Sequence, residues 1–100
     1  PNFTALREIQ TRGIIITAPG KDADFVSRFF APRCAIDEDP VTGSAHCTLA
    51  PLWADKLGKE VLIAHQVSPR GGELICKIAP SNRIKISGKC ISYLEGKIWV

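Results

Sequence analysis

Methionine is absent from this 100-residue chain, which begins at Pro1, and no apolar run approaches the ~18 residues that a membrane span needs. No secretory signal pattern stands at the start either. A chain without an initiating Met is expected to be a fragment or a processed product, with no membrane contact. Metal-ligand spacing is missing as well. Cys34, Cys47, Cys76 and Cys90 lie far apart with apolar neighbours, and neither C-x-x-C nor H-x-x-x-H occurs. The adjacent His46 and Cys47 cannot both point at one ion from a helix. Buried free thiols in a cytoplasmic compartment are the expectation, with no metal and no cofactor. A basic stripe is lacking too: 13 Lys and Arg are scattered among 10 Asp and Glu, for a net charge of +3. Without such a stripe or an aromatic platform, nucleic acid is not an expected partner. No repeat or low-complexity stretch appears.

The apolar share of 45% is that of an ordinary globular domain, and the length allows a single domain over residues 1–100 with one modest core. Residues 2–10 read as a short helix, capped by Asn2 or Thr4, with Phe3, Leu6 and Ile9 along one face. The β-branched run from Gly13 to Ala18 reads as a strand closed by Pro19-Gly20. Phe25 to Phe30 carries large apolar groups at both parities, as a strand buried on much of both faces does. Ile36 to Ser44 is acidic and rich in turn formers. Ala45, Leu49, Leu52, Trp53 and Leu57 then recur at helical spacing up to Gly58, with Pro51 expected to kink the axis. That helix is apolar nearly all round, the mark of a buried helix.

The rest reads as strands: Val61 to Val67, Leu74 to Ile78, Ile84 to Ile86, then Cys90 to Leu94 and Lys97 to Val100. Turns are expected at Arg70-Gly71-Gly72-Glu73, Ser81-Asn82 and Glu95-Gly96, and a bulge or bend at Gly88. Strands outnumber helices without alternating with them, which disfavours a doubly wound fold. The fold class expected is α+β, a curved, mostly antiparallel sheet wrapped around a central buried helix.

The stretch Asp39-Pro40-Val41-Thr42-Gly43-Ser44-Ala45 carries the chemistry. Asp39 or Thr42 can cap the helix, Gly43 lets a ligand approach the backbone, and Ser44 adds a hydroxyl beside unpaired N–H groups. Such a helix start attracts carboxylates or phosphates; the bland alternative is a capped helix start with no ligand.

Three blocks carry a resemblance to a known family. The first is Phe25 to Pro32 with Ile36 to Cys47, joined by Leu52-Trp53 in the central helix. The others are Gln66 to Leu74 and Leu94-Glu95-Gly96. Together they resemble the phenazine-biosynthesis (PhzF-like) isomerases and cover nearly the whole chain as their C-terminal half. The resemblance implies a diaminopimelate-epimerase-like fold of two pseudo-symmetric halves, with a cleft between them. It implies acid–base isomerisation of a small carboxylate-bearing substrate, with Asp39 catalytic and Gly43 and Ser44 binding substrate. The N-terminal domain of the same protein is the implied partner; a catalytic Glu and a Gly-His motif belong to it and have no counterpart here. Sibling racemases use two cysteines, but no Cys stands at this helix start, so a carboxylate must do the proton work. A helix start favours an ionised carboxylate, whereas a general acid must hold a proton. Asp39 is therefore assigned to orienting substrate or assisting the transfer.

Thr42, His46 and Arg70 are further candidates, each with a structural alternative: a cap, a core histidine and a hairpin residue. His65 and Trp53 read as structural, and Asp37 and Glu38 as solvated turn residues. Alone, the chain is expected to be inactive and to expose a docking surface that also permits a homodimer. The alternative function is a non-catalytic binding or scaffold module that keeps the fold.

Overall fold

The computed structural model describes residues 1–100. It opens on α1 (Phe3–Glu8), where the Ala5 amide donates to Asn2 Oδ1 at 3.1 Å, so Asn2 is the cap. No residue of α1 is fully buried, and the helix stops short of Gln10.

β1 (Ile14–Pro19) and β2 (Phe25–Ala31) form an antiparallel hairpin. Its loop is tied to the next strand along the sheet by Asp24, which pairs with Lys59 and accepts from the Ile63 amide at 2.7 Å. A 3₁₀ turn at Pro32–Cys34 follows, and then β3 (Ile36–Asp39), antiparallel to β2. This strand falls where composition indicated a loop. Cross-strand pairing overrides the poor strand propensity of its acids: Arg28 of β2 donates to both carboxylate oxygens of Glu38, at 2.7 and 2.8 Å. Glu38 is thus a paired strand residue rather than a solvated turn residue.

α2 (Gly43–Leu57) runs through Pro51 and ends at Gly58, whose φ of +63° suits a residue without Cβ. β4 (Val61–Gln66) returns parallel to β2, and β5 (Gly72–Ala79) and β6 (Arg83–Gly88) continue antiparallel. Ser81 and Asn82 both take positive φ, as the tight turn of the β5–β6 hairpin requires. The order across the sheet is β1-β2-β4-β5-β6, with β3 also on β2.

The core lies between one face of this sheet and one face of α2. Phe25 is its centre, stacked on Trp53 at 5.7 Å between ring centroids and lying 5.9 Å from the His46 ring. Leu62, Ala64, Leu74 and Cys76 pack from β4 and β5 against Leu49 and Ala50. Trp53 keeps its indole N–H bonded to Thr17 Oγ1 at 3.0 Å. α2 is the most buried helix, yet only on one side: Cys47, Pro51 and Leu52 face outward. The sheet curves around one flank of the helix, and the apolar character of the other flank remains uncovered.

Three expectations need correction. Cys90–Leu94 and Lys97–Val100 form no strands; residues 89–100 have no regular structure and no strand beside them to complete a ladder. Gly88 makes no bulge, since β6 keeps regular register up to Gly88 opposite Leu74. The four cysteines are free, but only Cys76 is buried, where desolvation pushes its thiol up to about 11.

Two stability outcomes follow from this core. Phe25→Ala removes the ring shared by His46 and Trp53 and is expected to destabilise by about 3–5 kcal/mol in chemical denaturation. The second concerns pH. Burial pushes the His46 imidazole below its ordinary 6.5, against a smaller upward pull from the Thr42 carbonyl. The unfolded chain takes up a proton near pH 6.5 that the folded chain refuses, so stability falls as pH drops through 6.5. Asp24 is held below its ordinary 3.8, chiefly by Lys59 and then by the Ile63 amide. Its contribution is present above pH 3.8 and lost as pH falls further. Denaturation curves from pH 8 to 3 should show both windows; His46→Gln should flatten the upper one alone, and Asp24→Asn the lower.

Candidate active site

β2 has one edge paired along its length with β1. Its other edge is shared. β4 lies along the first part, with Gln66 opposite Ser27, and β3 along the second, with Asp39 opposite Phe29. The C-terminal ends of β3 and β4 therefore abut beside the middle of β2. At this junction the chain leaves β3 and enters α2.

Gln66 closes the junction. Alternation along β4 turns Leu62, Ala64 and Gln66 inward, so the amide is buried. Its Nε2 donates to the Asp39 carbonyl at 2.7 Å and to Thr42 Oγ1 at 3.0 Å, while its Oε1 accepts from the Thr42 amide at 2.8 Å. Ser68 adds a second tie, donating to the Pro40 carbonyl at 2.8 Å and accepting from the Gly71 amide at 3.0 Å. Gly71, at φ +73°, gives the β4–β5 loop the turn this needs.

Thr42 occupies the N-cap position of α2 but does not cap it. Its hydroxyl donates instead to Asp39 Oδ2 at 2.5 Å. Gly43 and Ser44 are exposed at the first turn, and open space adjoins Gly43. Neither Asp39 nor Thr42 satisfies the first amides of the helix with a side chain, so this end keeps its partial positive charge. Ser44 Oγ accepts from Arg12 at 3.4 Å, which adds a full positive charge beside it. The cavity at this corner, about 190 Å³, is lined by Arg12, Phe29, Ser44 and Thr48 among others, but not by Asp39 or Gly43. A cavity of about 740 Å³ lies between α2 and the β5–β6 hairpin, and none of these groups lines it.

The proposed residues thus divide. Asp39 and Thr42 are bonded to each other, with Gly43 and Ser44 next along the chain. His46 turns inward. Its Nδ1 donates to the Thr42 carbonyl at 2.7 Å, and its Nε2 is buried without a partner. It supports the helix start from within as a neutral imidazole. Arg70 sits on the exposed β4–β5 loop and makes no hydrogen bond to the junction. His65 pairs with Glu73 at 3.1 Å, away from it.

Sequence reasoning passed over Gln66, Ser68 and Arg12. A polar residue on the inward parity of β4 was a usable signal for Gln66, since a buried amide must find partners. Nothing in the sequence pattern links Arg12 to Ser44. No group of His, Cys, Asp and Glu side chains is arranged to hold a metal ion, and no helix is long and apolar enough to cross a membrane.

Comparison with known proteins agrees with this architecture. The family described as phenazine biosynthesis-like protein, PhzC–PhzF, matches residues 1–96. An uncharacterized isomerase of Pseudomonas aeruginosa is 52% identical over 98 residues, which are 98% of this chain and 37% of that protein. An uncharacterized isomerase of Halalkalibacterium halodurans is 44% identical, again over 98% of this chain and 37% of its own length. The crystal structure of a PhzC/PhzF phenazine biosynthesis protein from Clostridium difficile, 48% identical, superposes with a TM-score of 0.89 over 100% of this chain and 39% of the other. The chain therefore spans well under half the length of these relatives. Matched in sequence over nearly its whole length and in fold over all of it, the chain belongs to the phenazine biosynthesis-like (PhzF) family.

Proposed function

We propose that the chain supplies the C-terminal half of a PhzF-like isomerase site, which moves a proton on a small carboxylate-bearing substrate. The observation that carries this reading is the uncapped start of α2. Thr42 spends its hydroxyl on Asp39, leaving the Gly43 and Ser44 amides exposed, with Arg12 beside them. A carboxylate placed there gains the N–H groups and the positive end of the helix dipole. The open space at Gly43 leaves room for it. Asp39, oriented by Thr42, then contacts a substrate group near the migrating proton and assists the transfer. The principal proton shuttle on this reading is a Glu of the other half, as the family resemblance implies. The relatives' names as isomerases support the reaction class. The 100-residue chain alone is inactive on this reading, because its cleft has one wall. The alternative, a non-catalytic binding or scaffold module, keeps the anion site and dispenses with Asp39.

Asp39→Asn retains shape and removes charge and proton capacity. In a full-length protein carrying this chain, turnover should fall by roughly 10²–10⁴ while the melting temperature stays nearly constant. Turnover is read as isomerisation or solvent-deuterium uptake over a panel of small carboxylates, with Asp37→Asn as control. Unchanged turnover in Asp39→Asn removes Asp39 from the mechanism; an equal collapse of melting makes it a structural residue only. A second variant separates positioning from chemistry. Gln66→Leu keeps the volume but strands the buried Thr42 amide, and should lower stability by about 1–3 kcal/mol. It should also raise KM as the helix start loosens, whereas Asp39→Asn acts on kcat.

A further inference from the structure

Every residue of the turn from Asp39 to Thr42 is held by the segment that leads from β4 into β5. Gln66 grips the Asp39 carbonyl and both the amide and hydroxyl of Thr42. Ser68 grips the Pro40 carbonyl. Val41 has no hydrogen-bonding side chain and is held by shape. Its isopropyl group rests on the backbone of Gly72: a Cβ added there would lie 2.0 Å from Val41 Cγ2, 3.2 Å from its Cβ and 3.3 Å from its Cγ1. The two glycines of this loop therefore serve different ends. Gly71 stands at positive φ and Gly72 does not, so alanine at 72 suits the backbone and collides only with Val41. Pairing decides which side gives way. Gly72 opens β5 opposite Gln66 of β4, and β5 is laddered on both sides, to β4 and to β6. Pro40, Val41 and Thr42 belong to no ladder. Turning the isopropyl group leaves Cβ at 3.2 Å, still inside ordinary carbon contact, and a β-branched side chain has few χ1 states to choose from. The turn itself must move, and it carries Asp39 at one end and the start of α2 at the other.

We infer that Gly72 is a positioning residue for the proposed reaction: the bare backbone at the start of β5 is a seat that sets, through Val41, where Asp39 stands relative to the first amides of α2. The inference rests on the reading of Asp39 and the α2 start as one wall of the site. It adds a steric setting to the polar one. Gln66 fixes the turn by hydrogen bonds from β4, and Gly72 fixes how far the turn stands off β5.

The test is a size swap in a full-length protein carrying this chain, with Gly72→Ala, Val41→Ala and the two together. Two quantities are read: the amide NMR signals of Gly43 and Ser44, and kcat/KM on the small carboxylates. Gly72→Ala should shift both signals and lower kcat/KM by roughly 10²-fold, as a misplacement of about 1 Å does. Val41→Ala removes the two methyl groups that meet the added carbon. The double variant should therefore return the signals and bring kcat/KM to within about threefold of Val41→Ala alone, a departure from additivity that a loss of general stability does not produce. Unmoved Gly43 and Ser44 signals in Gly72→Ala overturn the inference. A double variant no better than Gly72→Ala overturns it too, because Val41 is then not what the seat holds. Should Gly72→Ala fail to fold, the double variant should fold and melt with Val41→Ala; a double variant that also fails to fold overturns the inference. The signals decide the matter without turnover. Signals that move and return uphold the seat even where Asp39→Asn keeps full turnover, a result that removes the catalytic reading of Asp39 instead.

Discussion

The buried amide of Gln66 ties together two segments that meet only because they share one edge of β2. β3 and β4 approach that edge from different parts of the chain and end side by side, with the Asp39–Thr42 turn between them and α2. Both ends of the amide are used, donating to Asp39 and Thr42 and accepting from the Thr42 amide. A buried amide left half-satisfied is worse than none, so this group admits one arrangement of the turn. That arrangement frees the helix start. With Gln66 and Asp39 both engaging Thr42, its hydroxyl is unavailable to the first turn of α2.

Below this junction, the packing of Phe25 sets the angle at which α2 leaves it. Phe25 lies between His46 in the first turns of the helix and Trp53 two turns further on, so one side chain fixes the helix at two points. His46 contributes in the same direction by holding the Thr42 carbonyl from inside the core. Its neutrality is consistent with the place. A cation there would be desolvated and would stand at the positive end of the helix. A histidine that looks like catalytic equipment in the motif is part of the support on which the exposed residues rest.

The uncovered outer flank of α2 and the exposed tail belong to one physical situation. A single sheet covers a single side of a helix, and a helix apolar on more than that side is built for a second layer. The family relatives are longer by more than the length of this chain.

Elements with strong local signals were legible in the sequence. The β1–β2 and β5–β6 strands and the α2 helix with its Gly58 end each follow from spacing or from a residue with restricted backbone preferences. The Asp39–Ser44 stretch stood out for the same reason, because a helix start is written in short-range residue types. β3 was hidden, since its acids are poor strand formers and only the Arg28–Glu38 pair and the free edge of β2 make it one. The tail was misread in the opposite sense: its local pattern asks for strands, but a ladder needs a neighbour that these residues do not contain. Gln66, Ser68 and Arg12 join the site through contacts 24 to 32 residues along the chain, and sequence spacing carries no information at that range. What the sequence by itself determined is the helical or strand character of the segments with strong local signals, and that a helix begins near Gly43-Ser44. Tertiary structure alone decided that Thr42 turns to Asp39 rather than to its own helix, because that choice is made by a buried amide arriving from another strand.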